Sequence, residues 1–197
     1  MQYVKTKGIL LKKTVIATDD AFLEFLTEDY GKICVSVRKF AKSQKRVLEI
    51  DFFRLLELEI LEGRNSKSLH SARTILFFPH LDQNFEITQY GFQWISLLEK
   101  NMPLEKPVPY FFHQFLLFFQ CVEGEYPEVW DLFFRIKMLD FLGIFNLSYG
   151  VKFFDSIVKE ISWIRETNAQ DFLREKKKWN INFFRSLKGM VENMEKQ

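Results

Sequence analysis

The sequence predicts an α+β protein, in which an N-terminal five-stranded β-barrel is followed by an α-helical domain. Between residues 3 and 75, short runs rich in β-formers are separated by turn signals, a pattern typical of small closed barrels. After Pro79 the apolar residues recur with helical spacing. We therefore predict two domains, residues 1–78 and residues 79–197.

The five predicted strands follow one another in the first domain. YVKTKGILLKKTVI forms the first, and the second and third flank the turn TEDYGK, where Gly31 supplies the positive φ that such a turn needs. FFRLLELEILEGR alternates apolar and charged residues and ends at Gly63, which indicates a half-exposed fourth strand. NSKSLHSARTILFF supplies the fifth. The natural five-stranded candidate is the OB-fold.

Five helices are expected in the second domain. NFEITQYGFQWISLLEK is an amphipathic helix, and YFFHQFLLFFQCV is apolar almost all round and therefore central. PEVWDLFFRIKMLDFLG begins with Pro127 and ends at Gly143, as helices prefer. VKFFDSIVKEISWI and NAQDFLREKKKWNINFFRSLKGMVENM supply the last two, with Asn168 as an N-cap. The residues predicted near one face of the first helix are Phe85, Thr88, Phe92, Ile95 and Leu98.

The charges are divided unevenly between the predicted domains. The net charge of +2 does not by itself indicate a nucleic-acid partner. Residues 1–78 hold 14 basic and 10 acidic residues, whereas residues 79–197 hold 14 basic and 16 acidic residues. This asymmetry favours a barrel that meets a polyanion.

Catalytic and metal-binding signatures are missing from the sequence. It contains no GxGxxG, P-loop, GxSxG or HExxH motif, so we expect no enzymatic activity and no cofactor. Cys34 and Cys121 are read as buried, reduced thiols, and the three histidines lack metal-ligand spacing, so no metal is expected. The longest apolar stretch is too short to span a bilayer, and the first apolar run is too short for a signal peptide. We expect a cytoplasmic protein with no membrane contact.

The stretch VRKFAKSQKR, residues 37–46, carries five basic residues and no acidic one. We predict that AKSQKR is a mobile loop leaving the third strand, where cations bind phosphates and release counterions. Phe40, or Tyr30 in the preceding turn, is a candidate for stacking on a base. An ordinary solvated loop is the alternative. The candidate DNA-binding residues are Lys12, Lys13, Lys32, Arg38, Lys39, Lys42, Lys45 and Arg46.

The order of these motifs also carries a family resemblance. A GILL strand, an acidic turn, a Thr…Gly-Lys hairpin and a basic, Ser-containing loop follow one another, and FFRIKMLDFLG later ends in Leu-Gly. This order, over about residues 3–145, resembles the RecO family of recombination mediators. The segments that carry it are Gly8–Leu11, Asp19–Asp20, Thr27–Lys32, Arg38–Arg46 and Phe133–Gly143.

The resemblance implies a function in recombinational DNA repair. RecO-like proteins bind single- and double-stranded DNA and anneal complementary strands. They also bind the acidic C-terminal tail of single-stranded-DNA-binding protein, associate with RecR and help to load RecA. In relatives the tail-binding site combines an apolar pocket with a cation near the Leu-Gly helix. The matching residues here are Phe134, Arg135, Lys137, Met138 and Leu142.

The sequence departs from the family pattern at three places. Lys39 stands where a glycine is usual, which predicts a different bend in the basic loop. Asp51 stands where a proline is usual. The four-cysteine zinc module that many members carry has no counterpart after Gly143, because no cysteine follows it.

Two other functions remain open from the residues. A protein-interaction adaptor with little DNA affinity would suit the low net charge. An RNA-binding OB protein would prefer RNA to single-stranded DNA.

Overall fold

A computed structural model describes five stretches of the chain, which fall into two compact units, residues 1–113 and 114–197. The predicted boundary between residues 78 and 79 coincides with the change from strands to helices. As a domain boundary it stays a prediction. The described residues are 2–17, 19–64, 66–122, 127–143 and 162–175.

The first unit is built on a closed five-stranded barrel. Its strands pair in the order β1-β2-β3-β5-β4, with β4 returning to β1. All neighbours are antiparallel except β3 and β5, which are parallel and meet at Ser36 and Ser68. The predicted OB-fold barrel is confirmed. The strands are β1 (Gln2–Val15), β2 (Ala21–Thr27), β3 (Gly31–Val37), β4 (Arg54–Glu62) and β5 (Lys67–Phe77).

Side chains that alternate along each strand point into and out of the barrel, and the inward-pointing apolar ones fill its interior. Leu23 and Phe25 of β2 and Ile33 and Val35 of β3 point inward and are buried. Burying each such side chain contributes about 1.5–3 kcal/mol. A bulge after Leu10 shifts the β1–β2 register before Lys12, which bends β1 so that it can pair with two neighbours.

The turn between β2 and β3 requires glycine, as predicted. Gly31 has a φ of +69°, in the left-handed region that favours glycine. A Cβ placed there would lie 1.9 Å from the carbonyl oxygen of Lys106. The segment around Lys106 therefore packs directly on this hairpin, and the Glu105 amide donates a hydrogen bond to the Lys32 carbonyl at 2.8 Å.

Helices occupy most of the described chain after β5, and one short helix interrupts the barrel. Parts of the two last predicted helices, residues 151–161 and 176–194, lie outside the described residues, whereas residues 162–166 are helical. The helices are α1 (Gln44–Glu49), α2 (His80–Gln83), α3 (Phe85–Asn101), α4 (Pro109–Cys121), α5 (Pro127–Phe141) and α6 (Ala169–Glu175).

The predicted apolar face of α3 is partly wrong. Phe85 and Phe92 are 83% and 44% exposed, although Ile95 and Leu98 are buried as expected. Gly91 lies on the buried face, where the ring of Phe53 comes so close that a side chain at this position would clash with it. The buried residues of α3 are Ile87, Gly91, Trp94, Ile95 and Leu98.

Aromatic packing dominates the second unit. The ring of Phe118 lies 5.8 Å from Trp130 and 5.9 Å from Phe133, and Phe133 lies 4.4 Å from Phe172. α5 begins at Pro127 and is followed by Gly143 at φ +69°, as its sequence predicts.

The predicted N-cap at Asn168 is also confirmed. Its side-chain oxygen accepts a hydrogen bond from the backbone amide of Asp171 at 3.0 Å. This bond satisfies one of the amides that a helix leaves unpaired in its first turn.

Candidate nucleic-acid interface

The basic stretch begins with a turn that is anchored in the barrel. β3 ends at Val37, and Phe40 turns inward to join the apolar core, where it is 1% exposed. Phe40 therefore cannot stack on a base, and that prediction is wrong. The single aromatic residue among these cations instead anchors the turn, because the side chain of Phe40 is buried in the core. Tyr30 is half-buried and packs against the same core.

Two aspartates hold this turn in place. The backbone amide of Lys39 donates to Oδ1 of Asp20 at 2.8 Å, and the amide of Ala41 donates to the carbonyl of Asp19 at 3.0 Å. Nζ of Lys42 lies 2.9 Å from Oδ2 of Asp19. This hydrogen bond raises the pKa of Lys42, with the charge of Asp19 acting in the same direction.

Lys39 adopts the backbone conformation of a glycine. Its φ is +52°, which costs a residue with a Cβ on the order of 1 kcal/mol. The sequence analysis predicts that lysine at this position changes the bend of the loop. In this chain Lys39 takes the left-handed conformation that a glycine adopts readily, and its hydrogen bond to Asp20 offsets part of the cost. A bend different from that of relatives stays a prediction.

The second half of the basic stretch is helical. Ser43 caps α1, its hydroxyl accepting a hydrogen bond from the amide of Arg46. Lys45 and Arg46 therefore stand on the first turn of α1, and the prediction that AKSQKR forms a mobile loop is wrong. Nη1 of Arg46 donates to the carbonyl of Arg38 at 3.2 Å, which ties the helix to the preceding turn.

Four of the eight candidate cations form what we call the open set. Their side chains are exposed, and no carboxylate of the described chain lies within 4.0 Å of their charged groups. They occupy a single turn and the helix that follows it. The open set is Arg38, Lys39, Lys45 and Arg46.

Two further candidates are engaged with α3. Nζ of Lys12 lies 3.1 Å from a carboxylate oxygen of Glu99 and 3.8 Å from Glu24. Its hydrogen bond to Glu99 is the main cause of a raised pKa. Nζ of Lys32 donates to the backbone carbonyl of Glu99 at 2.6 Å. Lys12 and Lys32 thus hold the helix against the barrel.

The last candidates also have acidic partners. Nζ of Lys13 lies 3.2 Å from Asp51 and 5.7 Å from the centre of the Phe52 ring. Lys42 is paired with Asp19, as described above. Exposed ion pairs of this kind contribute only about 0–1 kcal/mol, so a phosphate can displace them.

A cleft of about 210 Å³ opens beside the open set, between α1 and β5. Lys45 and Arg46 line it from the helix, and His70 and Ser71 line it from the strand. Sequence reasoning missed the β5 side because a strand 25 residues downstream reaches α1 only through the barrel's long-range pairing. The other lining residues are Ser43, Glu49, Ile50, Leu69 and Ala72.

The candidate partner-binding residues lie on α5 and just after it, and the two apolar residues on α5 are buried. Phe134 and Met138 are 3% and 4% exposed, so they belong to the core. Arg135 is paired with Asp131 at 2.9 Å. Leu142 is partly exposed, and its amide donates to the Met138 carbonyl.

Lys137 is the most perturbed of these residues. Its Nζ donates to the carbonyl of Arg165 at 2.5 Å and lies 5.7 Å from the ring of Phe133. Burial lowers the pKa of Lys137 to about 8, with Asp140 opposing the shift and Arg165 adding to it.

The two cysteines differ from each other. Cys121 is buried as predicted, but Cys34 is exposed on the outer face of β3, so that prediction is wrong. Desolvation raises the pKa of the Cys34 thiol, and the carboxylate of its neighbour Glu24 adds to this. The strand's alternation places position 34 outward, between the buried Ile33 and Val35.

Within the described ranges, no cluster of three or more His, Cys, Asp or Glu side chains has the arrangement needed to hold a metal ion. In the same part of the chain, no helix combines the length and apolar character needed to cross a membrane.

Comparison with known proteins matches the N-terminal part of the first unit to a family model. Residues 1–78 match the family model described as Recombination protein O N terminal. A protein named DNA repair protein RecO from Caldicellulosiruptor bescii is 29% identical over 151 residues, covering 74% of this chain and 60% of the relative. Proteins of the same name from Listeria monocytogenes and Bacillus pumilus are 25% identical over 143 residues, covering 72% of this chain and 56% of each relative. The chain spans less than two thirds of the length of these relatives.

Proposed function

We propose that the chain belongs to the RecO family, whose N-terminal model matches residues 1–78, and that it is a DNA-binding, strand-annealing mediator of recombinational repair. The open set is the observation that carries the proposal. Four exposed cations without a carboxylate partner in the described chain stand on one turn and one helix of an OB-type barrel. Cations in this arrangement bind the phosphate backbone without regard to base sequence.

Annealing follows from the same charges. Two complementary strands repel each other, and cations that neutralise phosphates of both lower this repulsion. The open set is held by the hydrogen bond from the Lys39 amide to the side chain of Asp20 and by the Ser43 cap, so little of its backbone has to be ordered when DNA binds. The chemistry requires no catalytic group.

The partners are part of the proposal. We propose that the helical unit docks the acidic tail of single-stranded-DNA-binding protein, and that the chain acts in the cytoplasm with RecR to load RecA. Because Phe134 and Met138 are buried, the candidate residues that keep some solvent exposure are Lys137, Arg135 and Leu142. A labelled tail peptide should therefore bind more weakly to a Lys137→Ala variant than to the parent chain.

Annealing of short complementary oligonucleotides at two salt concentrations tests the proposal. We expect the chain to accelerate annealing at low salt and to lose this effect at high salt. A variant with all four open-set residues changed to Ala should lose the acceleration, whereas Lys100→Ala with Lys106→Ala, two exposed cations elsewhere in the first unit, should retain it. No acceleration at low salt would support the adaptor function instead.

The RNA-binding alternative is tested by competition. An RNA of the same sequence should compete no better than single-stranded DNA for the chain. Stronger competition by RNA would replace DNA with RNA as the ligand.

A further inference from the structure

The cleft between α1 and β5 has an apolar floor. Ile50 and Leu69 are 2% and 8% exposed, and Ala72 is half-buried beside them. The volume of about 210 Å³ is smaller than the 300–1,000 Å³ typical of small-molecule sites. It therefore suits one flat ring system, in contact with aliphatic side chains.

The rim of the cleft is polar and carries two of the four open-set residues. Lys45 and Arg46 line the α1 side, and His70, with its side chain 56% exposed, lines the β5 side. The imidazole of His70 is fixed by Tyr3, whose ring meets it edge-on at 5.1 Å, and its Nε2 lies 3.9 Å from Glu59. The rim thus carries two cations on the α1 side and a histidine on the β5 side.

The acidic residue of the cleft determines where a phosphate can lie. Glu49 lines the cleft at the end of α1, and its carboxylate repels a phosphate placed inside. A phosphate is favoured outside, against Lys45 and Arg46, which have no carboxylate partner in the described chain. An uncharged ring fits the interior, where Glu49 can accept a hydrogen bond from a base amino group.

We propose that this cleft takes one unstacked base of a single DNA strand, while the phosphates on either side of that base bind Lys45 and Arg46. The inference rests on the proposed function and deepens it, because it assigns a base-binding pocket to a barrel otherwise expected to bind only phosphates. Bases in a duplex are stacked and paired and cannot enter, so the cleft selects for single strands. The occupant follows from charge complementarity at the rim and from the apolar floor.

Binding of two fluorescent strands of equal length and charge tests the proposal. One strand carries bases, and the other has an abasic site in place of every base. We expect the parent chain to bind the first strand about tenfold more tightly, as one base–ring contact allows. Ala72→Leu, which fills the cleft, should remove most of this preference and leave the salt dependence unchanged. Ile75→Ala, an exposed change on the same strand outside the cleft, should preserve it.

A second variant guards against misfolding of the first. His70→Ala shortens an exposed residue that lines the cleft, without adding volume to the barrel, and should also reduce the preference. A preference that survives in both Ala72→Leu and His70→Ala would overturn the base-binding cleft. Equal, salt-sensitive binding of both strands by the parent chain would overturn the cleft but leave the proposed function standing. Failure of the parent chain to bind either strand would overturn both.

Discussion

The side chain of Asp20 accepts a hydrogen bond from the backbone amide of Lys39 at 2.8 Å, and Lys39 has a φ of +52°. An acidic turn and a basic turn, separated by two strands in the sequence, are thus fixed to each other. The position matters twice, because Lys39 is both a strained residue and a member of the open set.

Replacing Lys39 with glycine separates these two properties. Lys39→Gly should raise the free energy of unfolding by about 0.5–1 kcal/mol, because glycine adopts a positive φ without cost. Lys39→Ala removes the same charge and keeps the strain, so its stability should match that of the parent chain. Urea denaturation measures the difference, and both variants should bind DNA equally less tightly. Equal stability of the glycine and alanine variants would contradict a strained Lys39.

Neutralising Asp19 should strengthen DNA binding. The carboxylate of Asp19 pairs with Lys42 at 2.9 Å, and Asp19→Asn frees this cation and tolerates the φ of +63° at position 19. We expect a two- to fivefold gain in affinity for a single strand at low salt, with a salt slope steeper by up to about 0.7. Asp82→Asn, an exposed change of the same charge on α2, is the control and should leave binding unchanged. A gain shared by both variants would reflect net charge alone.

Gly91 should tolerate no side chain, although it lies inside a helix. Alanine is favoured over glycine in a helix by about 1 kcal/mol, but a Cβ at position 91 would lie 2.7 Å from the ring of Phe53. Because Phe53 is buried, Gly91→Ala should lower the free energy of unfolding by about 1–3 kcal/mol. Gln89→Ala, at an exposed position of the same helix, should change it by less than about 0.5 kcal/mol. A Gly91→Ala variant that is more stable than the parent chain in thermal or urea unfolding would show that α3 does not contact the ring of Phe53 at this position.

Lys137 should make stability depend on alkaline pH. Burial lowers its pKa from 10.5 to about 8, so between these values the unfolded chain binds more protons than the folded chain. Stability should therefore rise with pH from about 8 to 10.5 relative to a Lys137→Met variant, which lacks this group. Below pH 7 the two pH profiles should run parallel. A Lys100→Met variant, changed at an exposed position, should keep the parent profile. Identical profiles for the parent chain and Lys137→Met would contradict a buried amine.

The barrel could be predicted from the sequence because its signals are local. Alternation in β2 and β3 and the glycine in the turn between them specify a hairpin without knowledge of its neighbours. α5 and the Asn168 cap were predicted for the same reason, since a proline, a glycine and an asparagine mark helix ends directly.

Features that depend on distant contacts were not predictable. Phe40, set among cations in the sequence, looks like a stacking residue, but the folded barrel buries it. Phe92 of α3 contacts the rings of Phe52 and Phe53 and still stays 44% exposed. The division of the candidate cations into open and engaged residues depends on Glu99, which lies more than 60 residues from Lys32. The same holds for the cleft, whose two sides come from α1 and β5.

The salt dependence of single-stranded DNA binding tests the central claim most directly. Each phosphate contact contributes about 0.7 to the slope of log affinity against log salt concentration for a single strand. If the open set binds phosphates, changing Arg38, Lys39, Lys45 and Arg46 to Ala should weaken binding and flatten the slope by up to about 3. The Lys100→Ala, Lys106→Ala control should leave the slope as it is in the parent chain. An unchanged slope in the fourfold variant would contradict the account.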